Sequence, residues 1–184
     1  HRVAHRYITA ATGMDKFQIS KSKDVAMRVF DQIRKNLMIK DATGRDMNWV
    51  ESVCKSYKPD IVILDMGDKF ARTAGFARTD EALKANAVHA RQIAKQHECA
   101  IFYMSQLSAD AEGKVILNQA MMEGSRTGKA AEADLMIMIS KNPTVEGQEE
   151  EDKMRHINIV KNKLSGWHGI VHSKLNYHTA RYEP

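Results

Sequence analysis

The sequence predicts an α/β fold, a mainly parallel sheet flanked by helices and closed by a C-terminal antiparallel hairpin. Three observations predict it. Ile61-Val62-Ile63-Leu64 is a short β-branched run that ends in Asp65, as a buried parallel strand does when it delivers a carboxylate to the sheet's C-terminal edge. A second run of that kind, Ala100-Ile101-Phe102-Tyr103, leads through Met104-Ser105 to Gln106. A helical pattern from about Asp80 to His97 lies between them, with Leu83, Ala87, Ala90, Ile93 and Ala94 in one stripe, and strand, helix, strand in this order makes a parallel pair. Ligands of open α/β sheets bind at the C-terminal edge. Asp65 and Gln106 at neighbouring strand ends therefore suggest a site for a nucleotide phosphate and its magnesium.

The remaining elements follow along the chain. Val3 to Ala11 has helical spacing and stops at Gly13, and Lys23 to Lys35 places Val25, Val29, Phe30 and Ile33 on one face. Asn36 to Lys40 reads as a short strand, Asp41 to Gly44 as a turn, and Asp46 as the cap of a helix through Trp49, Val50, Val53 and Tyr57. Lys69 to Arg78 is a basic loop at the ligand edge. Leu107 to Gly128 lacks periodicity and carries Gly113, Gly124 and Gly128, which predicts a mobile binding loop outside the core. Asp134 to Ser140 and Arg155 to Lys161 read as hairpin strands around an acidic tip, Pro143 to Asp152. Gly169 to Leu175 is a last strand, and Tyr177 to Tyr182 adds a short edge. No repeat or linker divides the chain, so residues 1–184 read as a single domain.

A length of 184 residues with 43% apolar content can bury a core without disulfides. Cys54 and Cys99 give no disulfide framework, which points to a reducing, cytoplasmic setting, and no apolar run approaches the roughly 18 residues of a membrane span. The net charge of +5 understates the basic surface, because Glu146 to Asp152 concentrates acids in one run. Such a surface is compatible with nucleic acid. His168, His172 and His178 lack the spacing of a zinc site, and the 11 methionines read as core filling.

The order of these pieces resembles the later part of the RecA-like ATPase core of hexameric replicative helicases, the DnaB family and its phage relatives. Four segments carry the resemblance: Ile61 to Asp65 as the Walker B strand, Tyr103 to Ser108 as the strand with a phosphate-sensing glutamine, Glu132 to Ile137 as the strand after the DNA loop, and Ile159-Val160-Lys161-Asn162-Lys163 before a glycine turn. The resemblance implies an ATP-dependent helicase of the 5'-3' type that works on single-stranded DNA as a ring, with a hexamer expected and primase and a helicase loader as further partners. It gives Asp65 the magnesium, Gln106 a relay between γ-phosphate and DNA loops, and Lys161 and Lys163 the cations that reach a neighbour's γ-phosphate. Lys163 stands where the family has an arginine, so the bidentate fork is lost. Lys69, Arg72, Arg78, Lys114, Arg126 and Lys129 become the DNA-facing cations, and Tyr177 a residue for stacking on the adenine.

The resemblance also shows what these residues lack. A Gly-x-x-x-x-Gly-Lys-Ser/Thr loop does not occur, and Gly124-Ser125-Arg126-Thr127-Gly128-Lys129-Ala130 fails as one, because the glycine spacing is short and Ala130 has no hydroxyl for magnesium. The expectation is an incomplete core whose P-loop portion lies upstream, inactive as a fragment. A recombinase or clock-type RecA-like ATPase, and a non-catalytic DNA-binding derivative of the fold, are the alternatives.

Overall fold

The computed structural model describes residues 2–71, 78–124, 126–143 and 153–184. It is a mixed α/β structure with a two-stranded parallel sheet and a four-stranded sheet of order β3-β4-β5-β6. The helices are α1 (Arg2–Thr12), α2 (Lys16–Lys21), α3 (Lys23–Arg34), α4 (Met47–Tyr57), α5 (Thr79–Gln96) and α6 (Arg126–Glu132). The strands are β1 (Ile61–Leu64), β2 (Ala100–Tyr103), β3 (Leu135–Lys141), β4 (Met154–Asn162), β5 (Gly169–Asn176) and β6 (Arg181–Glu183). Among the described residues no helix is long and apolar enough to cross a membrane.

The chain forms two compact units. The first comprises His1–Asp41, Lys141–Ile157 and Val171–Pro184. In it α1 ends at Gly13, whose φ of +70° is the left-handed geometry that closes helices. Arg181 of β6 completes that end, its guanidinium donating to the carbonyls of Ala10 (2.7 Å) and Ala11 (2.9 Å). A basic side chain on the last carbonyls satisfies groups that the helix itself leaves unpaired. Helix α2 has no counterpart among the elements expected from sequence, although Asp15 and Gln18 form a reciprocal capping box, Gln18 N to Asp15 Oδ1 at 2.8 Å and Asp15 N to Gln18 Oε1 at 2.9 Å. The strand expected at Asn36 to Lys40 does not form. Those residues are exposed and belong to none of the described strands.

The second unit comprises Ala42–Ser140 and Asn158–Ile170 and holds the parallel sheet. Asp46 caps α4 as expected, its carboxylate accepting from Trp49 N at 3.0 Å, and this bond holds the carboxyl below its ordinary range. Met47, Val50 and Cys54 of α4 pack with Leu64, Phe70, Ala90 and Ile93 into the main core, with Val62, Ile101 and Tyr103 against it. Cys54 is fully buried, and burial pushes its thiol up to about 11, with Cys99 adding to the shift.

A second core corrects the sequence reading of 107–128 as a mobile loop. Ala111, Leu117 and Met122 from that segment are buried with Ala130, Met136 and Met138. Two short 3-10 turns, Ala109–Ala111 and Gln119–Met121, shape the segment, and its end enters α6. Buried Asn158 of β4 fastens it, accepting from Leu117 N (3.1 Å) and donating to Val115 O (3.2 Å). The segment has its own apolar residues to bury, and periodicity could not reveal this because they are not regularly spaced.

Candidate functional site

Strand register builds the site. β1 and β2 pair in parallel with Leu64 opposite Tyr103, so both chains leave the sheet at one edge. The ladder continues beyond the strands through Met104 N to Leu64 O (3.1 Å) and Gly67 N to Met104 O (2.8 Å). Asp65 and Gln106 are therefore brought to the same edge, as the sequence predicts, and both are exposed. Met66 takes a left-handed φ of 56° and turns the chain into the 3-10 turn Gly67–Lys69. Gly67 is required there, since a Cβ would stand 2.7 Å from the Tyr103 ring.

That turn aims Asp68 inward, onto residues the sequence reading does not connect. Lys129 Nζ lies 3.0 Å from both carboxylate oxygens of Asp68 and 2.7 Å from Ser105 Oγ. Ser105 Oγ in turn donates to Asp68. Tyr103 OH reaches Asp68 Oδ1 at 3.4 Å, and burial first, then the Asp68 charge, raises the phenol's pKa above its ordinary value. Lys129 is buried at 5% exposure. Its ammonium is thus turned into the protein rather than towards a phosphate backbone.

A second cationic group gathers at the other end of α6. Lys161 Nζ donates to the carbonyl of Ala130 and Lys163 Nζ to that of Ala131 (3.3 Å). Arg91 of α5 donates to Glu132 O and pairs with Asp134 at 3.0 Å, and Lys163 stands 3.6 Å from the same carboxylate. Cations here meet the unpaired carbonyls and negative pole of a helix C-terminus. Burial, then neighbouring Lys163, lowers the Lys161 pKa, while the hydrogen bond from Arg91 leads in lowering that of Asp134.

The other expected residues are dispersed. Lys69 and Lys114 lie apart from both groups, and exposed Arg78 is bound through Nε (3.1 Å) and Nη2 (2.9 Å) to Asp80. Arg72 lies outside the described residues, and of Arg126 only the backbone, at the start of α6, is described. Tyr177 belongs to the first unit, where its hydroxyl accepts from Arg155 at 2.5 Å and its ring lies under that guanidinium. Among the described residues no group of three or more His, Cys, Asp or Glu side chains gathers as a metal cage. A hydrated magnesium needs no such cage, since it is held by one or two carboxylates and phosphate oxygens, and exposed Asp65 fits that requirement.

By sequence, no family model and no curated protein matches the chain. By structure, 97% of it superimposes on the solved ATPase domain of a helicase with a TM-score of 0.82 and 16% identity, covering 68% of that chain. The fold is that of helicase ATPase domains. A DnaB-like replicative helicase, solved in work on its interactions with primase, also matches over 97% of this chain, with a TM-score of 0.79 and 16% identity. There the chain spans only 46% of the neighbour's length, about half of it. The mixed α/β reading from the sequence agrees with these neighbours.

Proposed function

We propose that this chain is part of the RecA-like core of an ATP-driven helicase that moves on single-stranded DNA as a ring, and that residues 1–184 form one partial domain of it. The observation that carries the reading is the pairing of Asp65 with Gln106 at one exposed strand edge. At such an edge, Asp65 would hold the waters of a magnesium ion beside the triphosphate, and the ion would supply charge neutralisation for phosphoryl transfer. Gln106 would meet the γ-phosphate. The loop that cradles the triphosphate would come from chain outside these residues.

Lys161 and Lys163 serve as the cations offered to a neighbour's nucleotide, stabilising charge that develops in the transition state. Lys69, Arg78 and Lys114 are the proposed contacts to DNA phosphates, together with Arg72 and Arg126, with little base preference and steep salt dependence. Tyr177 is the proposed adenine-stacking residue. The movement is of the 5'-3' type, and primase and a loader are the proposed partners beyond the ring.

The test is ATP turnover, with and without single-stranded DNA, by the protein that includes the natural flanking sequence. Asp65→Ala or Gln106→Ala should remove DNA-stimulated turnover, and the melting transition should remain because both side chains are exposed. Unaltered turnover in either variant would refute the site. The absence of Gly-x-x-x-x-Gly-Lys-Ser/Thr within these residues favours a second reading, a DNA-binding derivative without ATPase. It predicts salt-sensitive DNA binding with no nucleotide turnover by the wild type.

A further inference from the structure

We propose that Lys129 is a positioning residue that locks the exits of β1 and β2 to α6, so that the Asp65 and Gln106 edge answers to the segment 107–124. This rests on the function proposed above and deepens it by naming the internal connection between DNA and nucleotide.

The ammonium is fully committed. A lysine has three donors, and Lys129 lies within hydrogen-bond distance of Asp68 Oδ1, Asp68 Oδ2 and Ser105 Oγ. Asp68 follows Asp65 in the turn leaving β1, Ser105 immediately precedes Gln106, and Lys129 belongs to α6. One buried group therefore joins three elements. Apolar side chains of similar volume would pack there at less cost than a desolvated ion pair, so the pair's distinctive property is the single geometry it enforces.

The segment between the strand and α6 closes on the same place. Glu123 N donates to Gln106 O at 3.1 Å, Ser108 N to Met121 O at 2.8 Å, and Leu107 bridges Met122. Gln106 is thus held on both sides, by its carbonyl to the far end of the segment and through Ser105 to Lys129. Displacement of the segment or of α6 must pull on Gln106 or break the buried pair. Because the pair is either made or broken, the response is a switch between two arrangements rather than a graded bend.

The experiment compares wild type, Ser105→Ala and the double variant Asp68→Asn with Lys129→Met, all in the protein with its natural flanks. The double variant removes both charges together, so no orphaned buried charge opposes folding. Ser105→Ala leaves the ion pair and cuts only its link to β2. We expect cooperative melting in both variants, and a ratio of DNA-stimulated to unstimulated ATP turnover that falls about tenfold in the double variant and about threefold in Ser105→Ala. A folded double variant with the wild-type ratio would overturn the proposal. So would a proportional fall of both rates, which a merely structural role produces. If wild type itself shows no DNA-stimulated turnover, the helicase reading fails first, and this inference falls with it.

Discussion

Lys129 and Lys163 meet the same short helix, α6, under opposite conditions. The Lys129 side chain is 4% exposed and its partner Asp68 16%, whereas Lys163 and its partner Asp134 are 45% and 53% exposed. In the buried pair the Coulomb term is strong and each charge has given up its hydration, so neither can leave without great cost. In the exposed pair, water competes for both charges at all times. The contrast separates two uses of a lysine: the first fixes a geometry, and the second remains exchangeable and can be presented to another anion.

The largest effect should come from breaking the buried pair on one side only. Lys129→Ala leaves Asp68 uncompensated and should lower unfolding stability by about 3–5 kcal/mol, measured by urea titration. Adding Asp68→Asn should recover much of that loss. If Lys129→Ala instead cost no more than an exposed pair, the burial on which the comparison stands would be wrong. Asn158→Ala should follow, at about 1–3 kcal/mol, since Leu117 N would lose its partner in the second core. A protease should then cut first within 107–124, which Asn158 fastens to β4.

Part of this contrast is legible in the sequence. β-branched composition and a terminal acid identify β1, a regular apolar stripe identifies α5, and Asp46 declares itself as a cap. These signals are local, and each depends on a single period or a single hydrogen bond. Asp65 and Gln106 are legible for the same reason, because a parallel register carries strand ends to one edge. The Asp68, Ser105 and Lys129 network has no such signal. Its members lie 61 and 24 residues apart in sequence and meet only through tertiary packing. Lys129 follows Gly128 in a helix of seven residues, too short and too glycine-rich for helical periodicity to stand out, so from sequence it reads as a loop cation. The capping box at Asp15 and Gln18 is a signal of the readable kind, and its spacing could have found α2.

Acid should give a smaller effect, intermediate between the two lysine pairs. His156, buried at 7% exposure, bonds through Nε2 to Asn142 Oδ1 (2.7 Å) and through Nδ1 to His172 Nδ1 (2.9 Å). Burial above all, then His172 and Arg155, lowers its pKa below 6.5. The folded state therefore binds the proton less readily than the unfolded chain. Its contribution to stability is complete above pH 6.5 and is lost as pH falls through the depressed folded value. Urea midpoints should drop as the pH is lowered from neutrality through that range, and His156→Gln should flatten the slope. An unchanged slope would assign the acid sensitivity to other groups.

Lys163→Ala should have the smallest effect on folding, within about 1 kcal/mol, because solvent already screens its pairing with Asp134. Arg91 remains on that carboxylate at 3.0 Å, so no charge is orphaned. Its consequence should appear only between subunits. Titrated into wild-type rings, the variant should depress ATP turnover more steeply than its mole fraction, since each defective copy leaves a neighbour's site without a cation. A decline in simple proportion would show that Lys163 acts within its own chain. A loss of stability comparable with that of Lys129→Ala would mean that the two lysines do the same work, and exposure would no longer separate a fixed lysine from an available one.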